Sequence, residues 1–276
     1  MNCGITGHTG ALGQEFIARN KYLNFIKFRG DITKKKQIVN WVKKNNFDYF
    51  FHFAAMVPTG SVEKNYSLAK KINIDGTSNL INALTKHHKK NLKWFFYSST
   101  SHVYNFQKKI IDENVKTNPT NKYGKTKQIA ENILLRKKIR ICIGRIFSFT
   151  HKTHQDSYLI PSLYNRIVKS NKKLIFFENL NHFRDFLDLD DICKAIKILM
   201  KNKKTGIYNI CSSKKINLKK IAIFLAKKKK IKCKFKKKKY KITYLIGKNK
   251  KLRSLGWKPK KDINYILNSY LKEKRK

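Results

Sequence analysis

Five short, almost continuously apolar runs punctuate the first half of the chain: NCGIT, FIKF, FDYFFHFAA, LKWFFYSS and IRICIGRIF. Each is followed by a longer stretch whose apolar residues recur at helical intervals among lysines, as in ALGQEFIARNKYL and KKKQIVNWVKKN, where Ile38, Val39 and Val42 share a face. Runs apolar at nearly every position suit strands covered on both faces. Strands that alternate with amphipathic helices build a parallel sheet. The expectation is a Rossmann-type, doubly wound α/β fold. SLAKKINIDGTSNLINALTKHHKK reads as one long helix of it and KYGKTKQIAENILLRKK as another. Beyond residue 148 the rhythm loosens. LIPSLYNRIVKSN reads as helical after its proline, RDFLDLDDICKAIKILMKN as a strand end and a helix, and GIYNIC as a strand. Residues 1–148 are therefore expected to form a first, Rossmann-type domain. Residues 149–276 are expected to form mainly a smaller α+β substrate lobe, with segments near 184–211 returning to the first domain.

The turn after the first strand narrows the ligand. TGHTGALG spaces Gly7, Gly10 and Gly13 three apart, between a strand and a helix. Such a turn lets a pyrophosphate approach the backbone, and the helix N-terminus behind it offers free N–H groups and a positive dipole end. The spacing differs from the Gly-x-Gly-x-x-Gly of the classical dehydrogenases.

YGKTK places Tyr123 and Lys127 one helical turn apart on a common face. Lysine is so abundant that the pair alone carries little: nine of the 64 basic residues are arginines, and Tyr-x-x-x-Lys occurs five times, from Tyr66, Tyr104, Tyr123, Tyr244 and Tyr270. The formal charge of +48 raises the question of nucleic acid. The lysines are spread along the chain, with local runs such as AKKKKIKCKFKKKKYK, and arginine is scarce. Ile, Asn, Phe and Tyr share AT-rich codons with Lys, so genome composition is a sufficient cause. A positive surface would still attract an anionic substrate. Five scattered cysteines without a Cys-x-x-Cys pair fit buried reduced thiols in the cytoplasm. No apolar run approaches the roughly 20 residues of a membrane span, the N-terminus lacks the features of a signal peptide, and no His/Cys/Asp/Glu cluster has metal-ligand spacing.

In order along the chain, these motifs resemble those of the extended short-chain dehydrogenase/reductases, the NAD(P)-dependent nucleotide-sugar epimerases, dehydratases and reductases. TGHTGALG resembles the family's TGxxGxxG, GDI its adenine-facing acidic stretch, and HFAA its fourth-strand motif. INIDGT is similar to its Asn-x-x-Gly-Thr, SSTSHVY to SSxxxVY, YGKTK to YxxxK, GRIF to Arg-x-Phe-Asn and RDFLDLDD to RDFxxVxD. GIYNI and LGWKP match two C-terminal landmarks. Of the five Tyr/Lys pairs, only Tyr123/Lys127 falls where this order requires it.

The resemblance implies Thr100, Tyr123 and Lys127 as catalytic residues. A phenol near pKa 10 needs a neighbouring cation to act as a base at neutral pH, and Lys127 is expected to favour the phenolate. It implies a cofactor site of Gly7, Gly10, Ala11, Leu12, Gly13, Arg29, Asp31, Ile32, Phe53, Ala54, Ala55, Asn73, Tyr123 and Lys127. Substrate contacts would come from Thr100, Tyr123, Ser148 and Arg184, the last on the nucleotide diphosphate. An ion pair of Arg184 with Asp185 or Asp188 is the competing reading. His52, in an aromatic strand, reads as a satisfied buried histidine, and His87 and His88 as helix-end residues without a role.

Three departures shape the expected activity. Only 16 residues separate Gly13 from Gly30, and Arg29, not an acid, follows FIKF. Arginine suits a 2′-phosphate, so NADP is favoured over NAD, and this condensed form resembles the 4-keto-sugar reductases. Ser101 and His102 stand where the dehydratases carry Asp and Glu. Ser148 replaces the usual Asn. The expected enzyme is a 4-keto-sugar reductase acting on a nucleotide-diphosphate sugar, with a 4-epimerase as the alternative. A non-catalytic dinucleotide- or RNA-binding protein on the same fold is the distant one. The family further implies a homodimer through a four-helix bundle that includes KYGKTKQIAENILL and SNLINALTK.

Overall fold

A computed structural model describes residues 1–236 and 240–275. Six strands form one wholly parallel sheet: β1 (Asn2–Thr6), β2 (Asn24–Lys27), β3 (Tyr49–His52), β4 (Trp94–Thr100), β5 (Ile141–Ile146) and β6 (Gly206–Ile210). Their spatial order is β2-β1-β3-β4-β5-β6. Helices α1 (Ala11–Arg19), α2 (Lys35–Lys44), α3 (Gly76–His88), α4 (Lys122–Leu135) and α5 (Leu189–Lys201) connect or flank them.

The apolar runs divide their side chains by the period of two expected of strands. Phe50, Phe95 and Tyr97 enter one core with Ile38 and Val42 of α2, Leu80 and Leu84 of α3, and Leu134 of α4. Phe51, Trp94 and Phe96 enter the other with Phe16 of α1 and Ile192, Ile196 and Leu199 of α5. The sheet is thus apolar on both faces because helices cover both.

The long helix read from SLAKKINIDGTSNLINALTKHHKK is one helical run with a change of winding. Tyr66–Lys70 leads into a π-helical turn, Lys71–Asp75, and then α3. The helix at the expected proline begins earlier than the sequence suggests, at Leu159, and runs to Ile167. Pro161 sits in its first turn, where the missing N–H has no helical partner to lose. His88 stands at a helix end, as expected. It is buried at the end of α3, and its Nε2 lies 2.8 Å from the Val42 carbonyl.

A separate apolar cluster joins the Leu159–Ile167 helix to helices Leu218–Lys229 and Ile263–Arg275 and to the parallel strand pair Leu174–Phe177 and Lys232–Phe235. The chain does not stay there. Leu252 and Trp257 return to the core beneath β1, β3 and β4, and Trp257 Nε1 donates to the Asp191 carbonyl at 3.0 Å. Part of the lysine run, residues 237–239, lies outside the described residues. Among the described residues no helix is long and apolar enough to cross a membrane.

Candidate active site

The strand order reverses between β1 and β3, since the chain runs outward to β2 and then crosses back. In open α/β sheets the crevice at the carboxyl ends beside such a reversal is where ligands settle. The glycine turn leaves β1 there. Gly7 adopts φ +70°, and a Cβ on it would collide with the backbone of Phe53 and Ala54 beyond β3. A Cβ on Gly13 would collide with the Gly7 carbonyl. These two glycines allow the chain to pack on itself. Gly10 differs: it is the N-cap of α1 with φ −76°, it places no side chain on the helix end, and an added Cβ would meet only the Gly7 oxygen, 3.5 Å away. An uncapped helix N-terminus with open space before it fits the pyrophosphate of a dinucleotide.

Of the other expected cofactor residues, Leu12 and Phe53 are core residues beneath the turn, while Ala11, Ala54 and Ala55 are half-buried around it. Ile32 packs against Gly76 at the start of α3. One Asp31 carboxylate oxygen accepts from Thr33 N and Thr33 Oγ1, both at 2.8 Å, and these bonds hold its pKa below the usual carboxylate range. Arg29 is exposed. Burial, then the charges of Lys27 and Arg29, depress the pKa of His8 within the turn. The end of β2 is therefore a cationic corner without an acid.

Asn73 lies in the π-helical turn and is buried. Its Oδ1 accepts from Met56 N at 2.7 Å, and its Nδ2 donates to Thr126 Oγ1 at 3.0 Å. It braces the segment after β3 against α4. His52 is satisfied, as expected. Thr77 Oγ1 donates to Asn73 O at 2.8 Å, so it accepts from His52 Nε2 at 2.9 Å. Nδ1 then accepts from Thr6 Oγ1 at 2.6 Å. Complete burial drives the imidazole pKa down to about 3, so it stays neutral.

The end of β4 separates the candidate hydroxyls. Ser98 Oγ donates to His52 O at 3.3 Å, and Ser99 Oγ donates to Glu131. Thr100 Oγ1 accepts from His102 N at 3.2 Å and is hydrogen-bonded to the Tyr123 phenol. Thr100 is thus the member of the three that meets Tyr123. Lys127 lies one turn further along α4. It is 1% exposed, and burial lowers its pKa to about 7 against a smaller opposing pull from Glu131.

The Tyr123 phenol responds to the same enclosure. Burial, and secondarily Tyr158, push the phenol well above its ordinary pKa, and the Thr100 hydrogen bond only partly offsets this. Burial disfavours charge on both groups at once. Glu131 is held by Arg145, whose Nη2 lies 2.7 Å from Oε2. Arg145 Nη1 donates to Tyr104 Oη at 2.8 Å, and Tyr104 Oη to Asn209 Oδ1 at 2.8 Å.

Opposite Tyr123 stand residues that sequence reasoning left out. The His102 ring meets the Tyr123 ring edge-on, with centroids 5.9 Å apart. Asn121 caps α4 and reaches His102 as well. Tyr158 stacks on His154 at 4.2 Å. Gly124 is required here, since a Cβ on it would collide with the His102 carbonyl. The His102–Asn121 pair spans 19 residues, and no local signal announces it.

Arg184 pairs with neither Asp185 nor Asp188. It donates to the Phe183 and Thr243 carbonyls at 2.8 and 3.2 Å and to Thr243 Oγ1 at 2.9 Å, with its guanidinium over the Phe106 ring. No carboxylate among the described residues forms a salt bridge with it. Its charge reaches His102, whose pKa it helps burial to depress. Asp185 instead accepts from Ser212 N, Ser212 Oγ, Ser213 N and Gly247 N, and Asp188 caps α5. Ser148 is half-buried, and its N–H donates to Asp185 O at 3.0 Å.

The sequence model of the NAD dependent epimerase/dehydratase family matches residues 4–211, from β1 past the end of β6. The chain belongs to that family. GDP-6-deoxy-D-talose 4-dehydrogenase of Aggregatibacter actinomycetemcomitans is 25% identical over 225 residues, covering 77% of this chain and 74% of the relative. UDP-glucose 4-epimerase of Lactobacillus helveticus is 25% identical over 209 residues, covering 66% and 62%. dTDP-D-glucose 4,6-dehydratase of Dictyostelium discoideum is 28% identical over 207 residues, covering 69% and 47%. The matched region thus spans from about half to three quarters of these relatives. The fold of RMD from Pseudomonas aeruginosa, solved with NADPH, superposes with a TM-score of 0.87 at 21% identity, over 99% of this chain and 98% of that one. This family is one of enzymes, and the parallel six-stranded sheet belongs to a fold that superposes on that solved structure.

Proposed function

We propose that this epimerase/dehydratase family member is an NADP-dependent reductase of a 4-keto sugar carried on a nucleoside diphosphate. The observations that support the reading are Tyr123 and buried Lys127 one turn apart on α4, Thr100 acting on the phenol from the end of β4, and the uncapped helix N-terminus at the glycine turn. A nicotinamide dinucleotide bound along the glycine turn would supply the hydride. Tyr123, with Thr100 as hydrogen-bond partner, gives its proton to the sugar oxygen. A phenol held protonated by burial suits the reductive direction, in which the group must act as an acid. Lys127 would hold the nicotinamide ribose, and Arg184, free of carboxylates, would take the diphosphate through its fork of donors. Ser148 would line the sugar side.

The related RMD was solved with NADPH, and MoeE5, similar in fold, with UDP-glucose and NAD. The cationic corner of Lys27 and Arg29 favours a 2′-phosphate, hence NADP. A 4-epimerase is the second reading, favoured by the similarity to UDP-glucose 4-epimerase. Exposed Ile129 and Leu135 on α4 support a homodimer that covers them, and the free cysteines support a reducing cytoplasmic setting.

The deciding assay offers the protein NADPH with GDP-, dTDP- and UDP-linked 4-keto-6-deoxyhexoses. The proposal expects stoichiometric NADPH oxidation with one of them. Conversion of UDP-glucose to its 4-epimer without net cofactor use, and no oxidation with the keto sugars, would replace it by the epimerase reading.

A further inference from the structure

The Asn121 amide is oriented by the helix it caps: Gly124 N donates to Asn121 Oδ1 at 2.7 Å, so Oδ1 is the acceptor end. The other end, Nδ2, lies 3.0 Å from His102 Nδ1 and must be the donor. His102 Nδ1 is therefore unprotonated, and the ring proton sits on Nε2. Among the described residues no group bonds to Nε2, and the half-buried ring meets the Tyr123 ring edge-on and feels the charge of Arg184. His102 also fixes Thr100, because its own N–H donates to Thr100 Oγ1 at 3.2 Å.

From this geometry we propose that His102 is a specificity-determining residue whose Nε2–H donates to a hexose hydroxyl next to the reacting carbon. The inference rests on the nucleotide-sugar reading above and deepens it. A locked donor differs in kind from a carboxylate in the same place. It cannot accept a carbon-bound proton while Asn121 occupies Nδ1, so it reads a hydroxyl rather than driving elimination. Its ring contact with Tyr123 and its own N–H bond to Thr100 set it on the hexose, beside the oxygen that those two residues would hold. A sugar lacking that hydroxyl, or presenting it on the other face, would leave the N–H unpaired.

Calorimetric titration of the NADP-loaded protein with GDP and GDP-mannose, dTDP and dTDP-glucose, and UDP and UDP-glucose tests this. His102→Phe, which keeps the ring edge on Tyr123, should weaken the nucleotide sugar that the wild type binds by about three- to tenfold. It should leave the matching free diphosphate unchanged. His102→Gln, which restores an N–H donor, should recover most of the loss. Long-range nitrogen–proton NMR of the wild type provides a readout that needs no variant. It should show the His102 ring protonated on Nε2 alone, with that resonance shifted by the nucleotide sugar and not by the diphosphate.

Equal weakening of sugar and diphosphate, an unchanged affinity for the sugar in His102→Phe, or an Nδ1-protonated ring would overturn the proposal while leaving the nucleotide-sugar reading in place. A wild-type protein that binds none of the three pairs would overturn both.

Discussion

The Lys127 ammonium stands 4.0 Å from the centroid of the Tyr97 ring, and the acid one turn further along its helix, Glu131, is already engaged by Arg145. Burial outweighs the pull of both toward the charged form, which is why its pKa falls to about 7.

That shift predicts a pH dependence. Between pH 7 and about 10 the unfolded chain holds a proton on Lys127 that the folded chain has released. Stability attributable to this residue therefore rises with pH across the window, by at most about 1.4 kcal/mol per pH unit. Urea unfolding of the wild type and of Lys127→Met at pH 7 to 9.5 measures it. The difference should move in favour of the wild type as pH climbs, and a flat difference would show that Lys127 keeps an ordinary pKa.

Gly10 and Gly13 should fail differently. Gly13→Ala forces a methyl into the Gly7 carbonyl, so both melting temperature and NADPH affinity should drop. Gly10→Ala has room in the folded chain and an ordinary φ. It should melt near the wild type yet bind NADPH at least about tenfold more weakly, because the methyl fills the approach to the helix N-terminus. Fluorescence titration with thermal melts separates the two.

Tyr123→Phe should lower kcat by about 10²- to 10⁴-fold, the usual worth of a positioned proton donor, with NADPH affinity little changed. Steady-state turnover on the accepted keto sugar, with a parallel binding titration, checks it. Turnover equal to wild type would remove the phenol from the chemistry.

If NADP is the cofactor, Arg29→Ala should weaken NADPH by about tenfold and NADH hardly at all, since an exposed guanidinium would contribute to the 2′-phosphate and to nothing in the core. Equal losses for both dinucleotides would end the case for NADP selection at this corner.

Breaking the Glu131–Arg145 pair from one side should cost about 3–5 kcal/mol, as both side chains are almost wholly enclosed. Glu131→Leu combined with Arg145→Met should cost less than either single change. A double-mutant cycle in urea reads the coupling, and additive losses would show that the two act independently.

Much of this architecture could be read directly. The strand runs declared a doubly covered sheet, and the split of Phe50 and Phe51 to opposite cores is that pattern realised. Motif order singled out Tyr123/Lys127 from four other pairs of the same spacing. What escaped was carried by partners distant along the chain. Nothing in GRIF or AENILL announces that Arg145 will hold Glu131. The competing ion-pair reading of Arg184 followed from adjacency to Asp185, whereas the fold turns that carboxylate to the loop at Ser212 and leaves the guanidinium on Thr243.

The amino-acid sequence alone determined the parallel α/β frame and the glycine turn and marked Tyr123 and Lys127 as the candidate phenol and ammonium, because periodicity and motif order are written along the chain. Tertiary structure alone decided their electrostatics. Burial raised the phenol and lowered the ammonium, the α4 cap set the proton on the His102 ring, and of three equally spaced glycines only one was left facing open space. Those outcomes depend on what is desolvated and what lies across the crevice, and neither is written in any short stretch of chain.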